Sequence, residues 1–563
     1  MIETIQLSTD VLVIGAGAAG IRAAIEARKS GVDTIVAAKG CLGFAGSTFC
    51  SYSPTWGYQA ATAIIDHDDS PEEHLKEIME SACGTADPNL ADILVHEAAI
   101  RLEDLKKIGL DVDYIDGKPV QEIGCFSHRP RCFMVTGKSR IRDKFISALK
   151  SSGAQIIESL RITDLLVKDE VCIGAIGYNS TQIYVIWSKS VILATGGAGN
   201  LFIHNFNTSD LIGDGQILAL KAGAALMNLE FMQIGFGITY PVEKMLFEGR
   251  LLQYGPKFKN TYSEEYLDNY LPVNVSKEDC LKDRAYHMPY SIRDCSMYLD
   301  IAAQQEVMAG RGTAHHSIYI DFRNIRSRDL VSTPVGARCY EGILAKGCDI
   351  SRELLEMAPH IHAMNGGVCI DEFGATQILG LYAAGEVAAG PHGADRLGGN
   401  MMPATQVFGT RAGLYAAKHA LQMKLNRRSV NEFHDNFDIL KSWLTAKNKS
   451  IGLLKQLIHE LRLTYWQHLL TVRTEAELVN TLDAITNAKK ILASSRPGLD
   501  GSIDELYDLS SMILLGQAIT EACRFRKESR GSHYRADFPQ KNNRYACPFK
   551  IRLENERIKI DLE

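Results

Sequence analysis

The 563-residue chain has no long apolar run. No stretch approaches the about 18 unbroken apolar residues of a spanning helix, so no membrane span of its own is expected. It also lacks a basic run, and its net charge is only −6. Nucleic acid is therefore not an expected partner. The 13 cysteines are scattered, odd in number and contain no Cys-x-x-Cys pair. That excludes the spacing of a zinc knuckle or an iron-sulfur ligand set, and no metal site is expected. Free thiols suit a reducing compartment, so a cytoplasmic location is expected. There is no internal repeat and no low-complexity tract. The N-terminus runs almost at once into a strand, which leaves no room for a signal or transit segment. What remains is ordinary for a globular protein: 46% hydrophobic and 23% charged residues, in a chain long enough for two or three domains.

The most informative stretch is Asp10 to Gly20, where an apolar strand enters Gly15-x-Gly17-x-x-Gly20 and an Ala-rich helix follows over 21–29. The first glycine permits the tight turn. The second lets backbone approach a pyrophosphate, and the third lets helix and strand pack closely, with phosphates at the helix N-terminus. A further strand at 34–38 completes the βαβ spacing of a dinucleotide site.

A glycine-rich loop follows at 40–50. Residues 71–108 show the three- and four-residue apolar spacing of a helix. Residues 153–195 read as short strands, the last entering another glycine cluster at 196–199. Two strand–glycine units this far apart imply a nucleotide domain built from separated segments. The stretch 226–355 is irregular and reads as an insertion. Residues 430–525 read as amphipathic helices, with Leu, Ile and Trp466 on one face of 453–470. The polar tail from Ser529 is expected to lie extended over the surface.

Later, a strand ends in Gly385-Glu386, and a helix opens at Met401, Met402 and Pro403. Proline fits a first helical turn, and the free N–H groups there suit a group that gains negative charge.

These motifs resemble the flavoprotein family of fumarate reductase, succinate dehydrogenase and L-aspartate oxidase. The matching elements are Gly15-x-Gly17-x-x-Gly20, Ala194 to Ala198, Gly213-Asp214-Gly215, Leu229 to Gln233, His362 before Gly366-Gly367, Gly385-Glu386, His392 to Asn400, and Glu528 to Phe538. They cover nearly the whole chain in order. The resemblance implies an α/β fold: a Rossmann-like FAD-binding domain (1–225 and 356–425), an inserted α+β capping domain (226–355), a C-terminal helical domain (430–525) and a tail (526–563). It implies FAD contacts from Gly15, Ala16, Gly17, Ala18, Ala19, Gly20, Lys39, Gly46, Ser47, Thr48, Thr195, Gly196, Asp214, Glu386 and Asn400, and from the backbone N–H groups of Met401 and Met402. It also implies that Arg396 and His362 grip a substrate carboxylate, a task that the guanidinium fork suits.

Departures from the family pattern shape the expected chemistry. Gly235-Phe236-Gly237 stands where succinate dehydrogenase and fumarate reductase carry His-Pro-Thr, so a second carboxylate loses a partner. In the Arg-Asp-x-x-x-Arg motif that bears the proton-shuttling arginine, the local match runs from Arg293 to Tyr298, with tyrosine in the arginine's place. Ser47 replaces the histidine that links flavin covalently, so FAD is expected to be non-covalent. Cys41 and Cys50 read as small apolar residues. Gly124 to Arg129 resembles a loop of aspartate oxidase, which makes His128 a candidate site residue and Glu122 a candidate ammonium contact.

The expected function is hydride transfer between flavin N5 and a small carboxylate-bearing substrate, at a C–C or C–N bond next to the carboxylate. The departures argue against plain succinate or fumarate. An L-aspartate-oxidase-like amino acid oxidase, the flavin subunit of an adenylylsulfate-reductase-like complex, and a flavoprotein retained only for binding remain as alternatives. Oxygen, a quinone and an iron-sulfur partner all remain open as electron acceptor.

Overall fold

In the computed structural model the chain is described over residues 2–50, 55–247, 249–332, 334–426, 432, 434–446 and 452–562. The strand Glu3–Ile14 lies at the centre of the main sheet, where Val11 to Ile14 are buried on both faces. Continuous apolar residues of this kind mark a strand covered on both sides. Parallel neighbours are Thr34–Ala37 on one edge and Gln182–Leu193 on the other. Gln155–Ile157 extends the first edge, and Leu381–Ala383 pairs in parallel with Gln182–Leu193. Val171–Tyr178 and Arg161–Lys168 continue the sheet antiparallel. Segments nearly 400 residues apart in sequence thus share one sheet.

The helix Ala18–Lys29 lies against the helix Met401–Gln422 along a seam of small residues. A Cβ on Gly409 would come within 2.8 Å of the Ala19 carbonyl, and one on Gly413 would meet Ala23 backbone. The second helix is thereby set beside the nucleotide motif.

The stretch 71–108 forms two helices rather than one, Pro71–Ala82 and Pro88–Lys107. Ser70 and Asp87 each cap an N-terminus with proline in the first turn, and Cys83 turns left-handed between them (φ 52°). Two start signals outweigh one continuous apolar period.

A five-stranded antiparallel sheet runs in the order Met245–Leu246, Met232–Tyr240, Leu355–Met364, Ile318–Asp321, Lys257–Lys259. It carries its own core, including Phe236, Ile238, Phe258, Leu299 and Ile320. Leu355–Met364 spans the expected join at 355/356. The C-terminal helices include Leu453–Leu469, Glu475–Ala493 and Ile503–Phe525, with Trp466 fully buried. No helix among the described residues is long and apolar enough to cross a membrane.

The tail lies over the surface only in part: residues 536–544 are exposed, whereas its start is buried. Arg526, Glu528, His533 and Arg535 are buried. Arg526 pairs with Glu230 (2.7 Å) and Glu528 (3.1 Å), and its guanidinium lies over the Phe549 ring. The strand Phe549–Glu554 then pairs with Leu226–Met227. The charges that suggested solvent exposure are matched internally, as buried charges must be.

Candidate active site

A cavity of about 430 Å3 runs along the ends of the central strands and under the strands of the second sheet. At one end, Gly15 adopts φ 113°, and any side chain there would strike the Ala194 carbonyl. Gly20 does not line the cavity; its missing Cβ leaves room for the Gly15 carbonyl, the close-packing role of a third glycine. Thr48 Oγ1 accepts from Ala18 N at 3.1 Å. Asp214 lines the same end, with its carboxylate taken by Lys39 Nζ (2.7 Å) and Arg161 Nη2 (3.0 Å). Burial works to raise its pKa, and the two cations outweigh it and hold the carboxyl below the usual range. Arg161 is a lining residue that the sequence did not advertise, because its partner lies 53 positions away.

At the other end stand Arg396, His362, Glu386 and Gln233. Arg396 is 5% exposed. Its Nη1 donates to Leu397 O (3.1 Å) and its Nη2 donates to Gln233 Oε1, while Gln233 Nε2 returns a bond to the Arg396 carbonyl (3.1 Å). The Nε is buried without a partner. Burial lowers this guanidinium to about 10. His362 projects from the strand Leu355–Met364, and burial, helped by Arg396, takes it down to about 4. Glu386 accepts from Met364 N (3.0 Å) and is pushed up to about 7, chiefly by burial. One cation, one neutral imidazole and one carboxyl poised near neutrality thus share this end of the cavity.

The sequence matches the family described as FAD binding domain over residues 10–402 and that described as fumarate reductase flavoprotein C-term over 458–562. A fumarate reductase (CoM/CoB) polypeptide of Methanothermobacter marburgensis is 32% identical over 550 residues, covering 94% of each chain. The chain belongs to the fumarate reductase and succinate dehydrogenase flavoprotein family. L-aspartate oxidase of Bacillus subtilis is 27% identical, covering 94% of this chain and 91% of that one. Among solved structures, Sdh1 of Mycobacterium smegmatis in complex with UQ1 superposes with a TM-score of 0.85 at 26% identity, over 99% of this chain and 94% of that one. This family member is an FAD-binding oxidoreductase. Its residues fit the cofactor. The Gly15 to Gly20 turn leaves backbone open to a pyrophosphate. Ser47 Oγ and Thr195 Oγ1 are buried without partners, and the helix Met401–Gln422 points its N-terminus at the cavity.

Of the residues expected to touch FAD, all but Gly20 and Asn400 line the cavity of this flavoprotein. The Asn400 side chain points elsewhere, where His74 Nε2 hydrogen-bonds its Oδ1 (3.0 Å). Cys41 lines the cavity, whereas the Cys50 side chain lies outside the described residues.

Tyr298 does not reach the cavity lining. It packs between the main core and that of the second sheet. Arg293 is likewise committed, donating to Asp395 Oδ2 (3.1 Å) with its guanidinium 3.9 Å above the Phe126 ring. His128 lines a separate acidic cleft with Asp66, Glu73, Glu77 and Glu80, and its backbone N donates to Glu77 (3.2 Å). Glu122 lies on a short strand beside Cys132 and is not part of the lining. Local motif likeness placed these four near the flavin; none of them lines the cavity.

Sequence reading gave Gln233 no role, although it lies in the Leu229 to Gln233 motif. Phe206 and Met288 were missed because apolar residues outside a motif look like core.

Proposed function

We propose that this flavoprotein exchanges a hydride between FAD and a small carboxylate-bearing substrate, at the C–C or C–N bond next to the carboxylate. The reading rests on one observation: Arg396, buried inside the flavin cavity and steered by Gln233, keeps an unpaired Nε there. A guanidinium held this way receives a carboxylate bidentately, and a gripped anion fixes the position of its neighbouring carbon. His362, neutral at pH 7 after its fall to about 4, adds a hydrogen bond without adding charge. Glu386, near 7, can hold or release the proton that accompanies the hydride. When bound, FAD supplies the two-electron chemistry.

Arg396→Ala leaves FAD bound and abolishes substrate-dependent flavin reduction or reoxidation. Stopped-flow absorbance under anaerobic conditions checks this, and unchanged turnover would refute the carboxylate grip.

We also propose that the flavin is held without a covalent bond, because Ser47 offers no imidazole link. Acid precipitation then releases yellow FAD into the supernatant; colour remaining in the pellet would contradict it. The electron acceptor is oxygen, a quinone or an iron-sulfur partner, and reoxidation of the reduced protein by each in turn decides among them.

A further inference from the structure

Resting on that reading of the site, we infer that the substrate is a monocarboxylate with an uncharged, apolar remainder, and that dicarboxylates are selected against. Arg396 is the one permanent cation among the described residues lining the substrate end of the cavity. Lys39 and Arg161 also line the cavity, but both are bound to Asp214 at the nucleotide end. Arg293 is held by Asp395, and Lys244, which is not among the lining residues, donates to Asn205 Oδ1 (3.1 Å) and Asn207 O (2.9 Å).

Phe206, Met288, Leu246 and Pro289 give the cavity an apolar stretch of wall. Beside it, Asn207 donates Nδ2 to the His362 carbonyl (3.1 Å) and keeps a buried, unpartnered Oδ1, an acceptor that offers a second carboxylate no help. The strand beneath cannot supply a polar group there. A Cβ on Gly235 would come within 2.5 Å of Met288 Sδ, and one on Gly237 within 2.6 Å of Phe206 Cε1 and 2.7 Å of His360 Nδ1. The two glycines exist to seat these side chains. Phe206 is locked in turn, stacked on His360 at 4.8 Å and 16°, and His360 Nδ1 hydrogen-bonds the Ala358 carbonyl (2.8 Å). A second carboxylate placed against this wall is stripped of water with no cation in return, whereas an alkyl or aryl group is buried favourably.

The test titrates the oxidised, FAD-loaded protein anaerobically with trans-2-hexenoate and cinnamate, and with fumarate, succinate and L-aspartate, reading the flavin absorbance shift. The monocarboxylates are expected to bind at least about tenfold more tightly than any dicarboxylate. Met288→Arg, which places a second cation on the wall, is expected to narrow or invert that ratio. The wild-type panel stands alone should the variant not fold. Equal or tighter binding of fumarate, succinate or L-aspartate overturns the inference and leaves the carboxylate reading intact. If trans-2-hexenamide binds as tightly as the acid, or if no ligand moves the spectrum, both fall together.

Discussion

Arg396 is useful only because another side chain aims it. Gln233 touches it twice, once at the guanidinium and once at the backbone carbonyl. Removing that amide frees the guanidinium to choose other rotamers, and a misplacement of about 1 Å costs on the order of 100-fold. Gln233→Ala is therefore expected to lower kcat/KM by roughly 10–100-fold with FAD content unchanged, and steady-state kinetics beside the flavin-to-protein absorbance ratio checks it. Arg396 and His362 were legible in the sequence because each sits in a dense motif. Gln233 was visible in its motif but mute, since its function is a pairing across 163 positions. Tyr298 and His128 show the opposite fault. A local match names a residue type without fixing the direction of its side chain, and the cores around Tyr298 set that direction.

At the scale of elements, the βαβ unit and its glycine turn were fully legible, because strand, turn and helix are neighbours in sequence. Gly15→Val tests how tightly that turn is drawn. Its φ of 113° and the Ala194 carbonyl leave no place for a branched Cβ. The variant is expected to purify without bound flavin, seen as loss of the visible absorbance bands, while retained colour would show that the turn relaxes. Helix boundaries were less legible. The apolar period ran unbroken through 71–108, yet Ser70 and Asp87 each begin a helix of their own. The sheet of the second unit was invisible as such, because the pairing that joins its two longest strands, Met232–Tyr240 and Leu355–Met364, spans more than 100 residues.

At the scale of the whole molecule, buried histidines dominate the response to acid. Burial takes His74 to about 3, and His360 and His362 to about 4, against 6.5 for the free side chain. The unfolded chain therefore binds more protons than the folded one between these values. The stability these groups provide is complete above pH 6.5 and is lost as pH falls from there towards 4. Glu386, raised to about 7, acts in the opposite sense, its contribution fading as pH rises through 7. Burial also lowers His204, His392 and His533, and it raises Asp164, Asp300, Asp395 and Glu477 in the opposing sense. With the lowered histidines outnumbering the raised carboxyls, the melting temperature is expected to be highest near neutrality and to drop between pH 6.5 and 4. A series of thermal melts in matched ionic strength measures it; a flat profile would mean that these rings stay hydrated.

The α/β nucleotide-binding fold and the C-terminal helices were readable from motif order and apolar period. The burial of Arg526, Glu528 and Arg535 in the tail was not, because arginine and glutamate look solvated until their partners are known.

That tail ties distant parts together. Ser532 Oγ accepts from Met232 N (3.2 Å) and donates to Ala394 O (3.1 Å), one residue from Gln233 on one side and two from Arg396 on the other. This one hydroxyl is thus a clasp between the segment of the guanidinium and that of its amide guide. Ser532→Ala would keep the nucleotide motif yet remove this fastening between the two segments that carry Gln233 and Arg396.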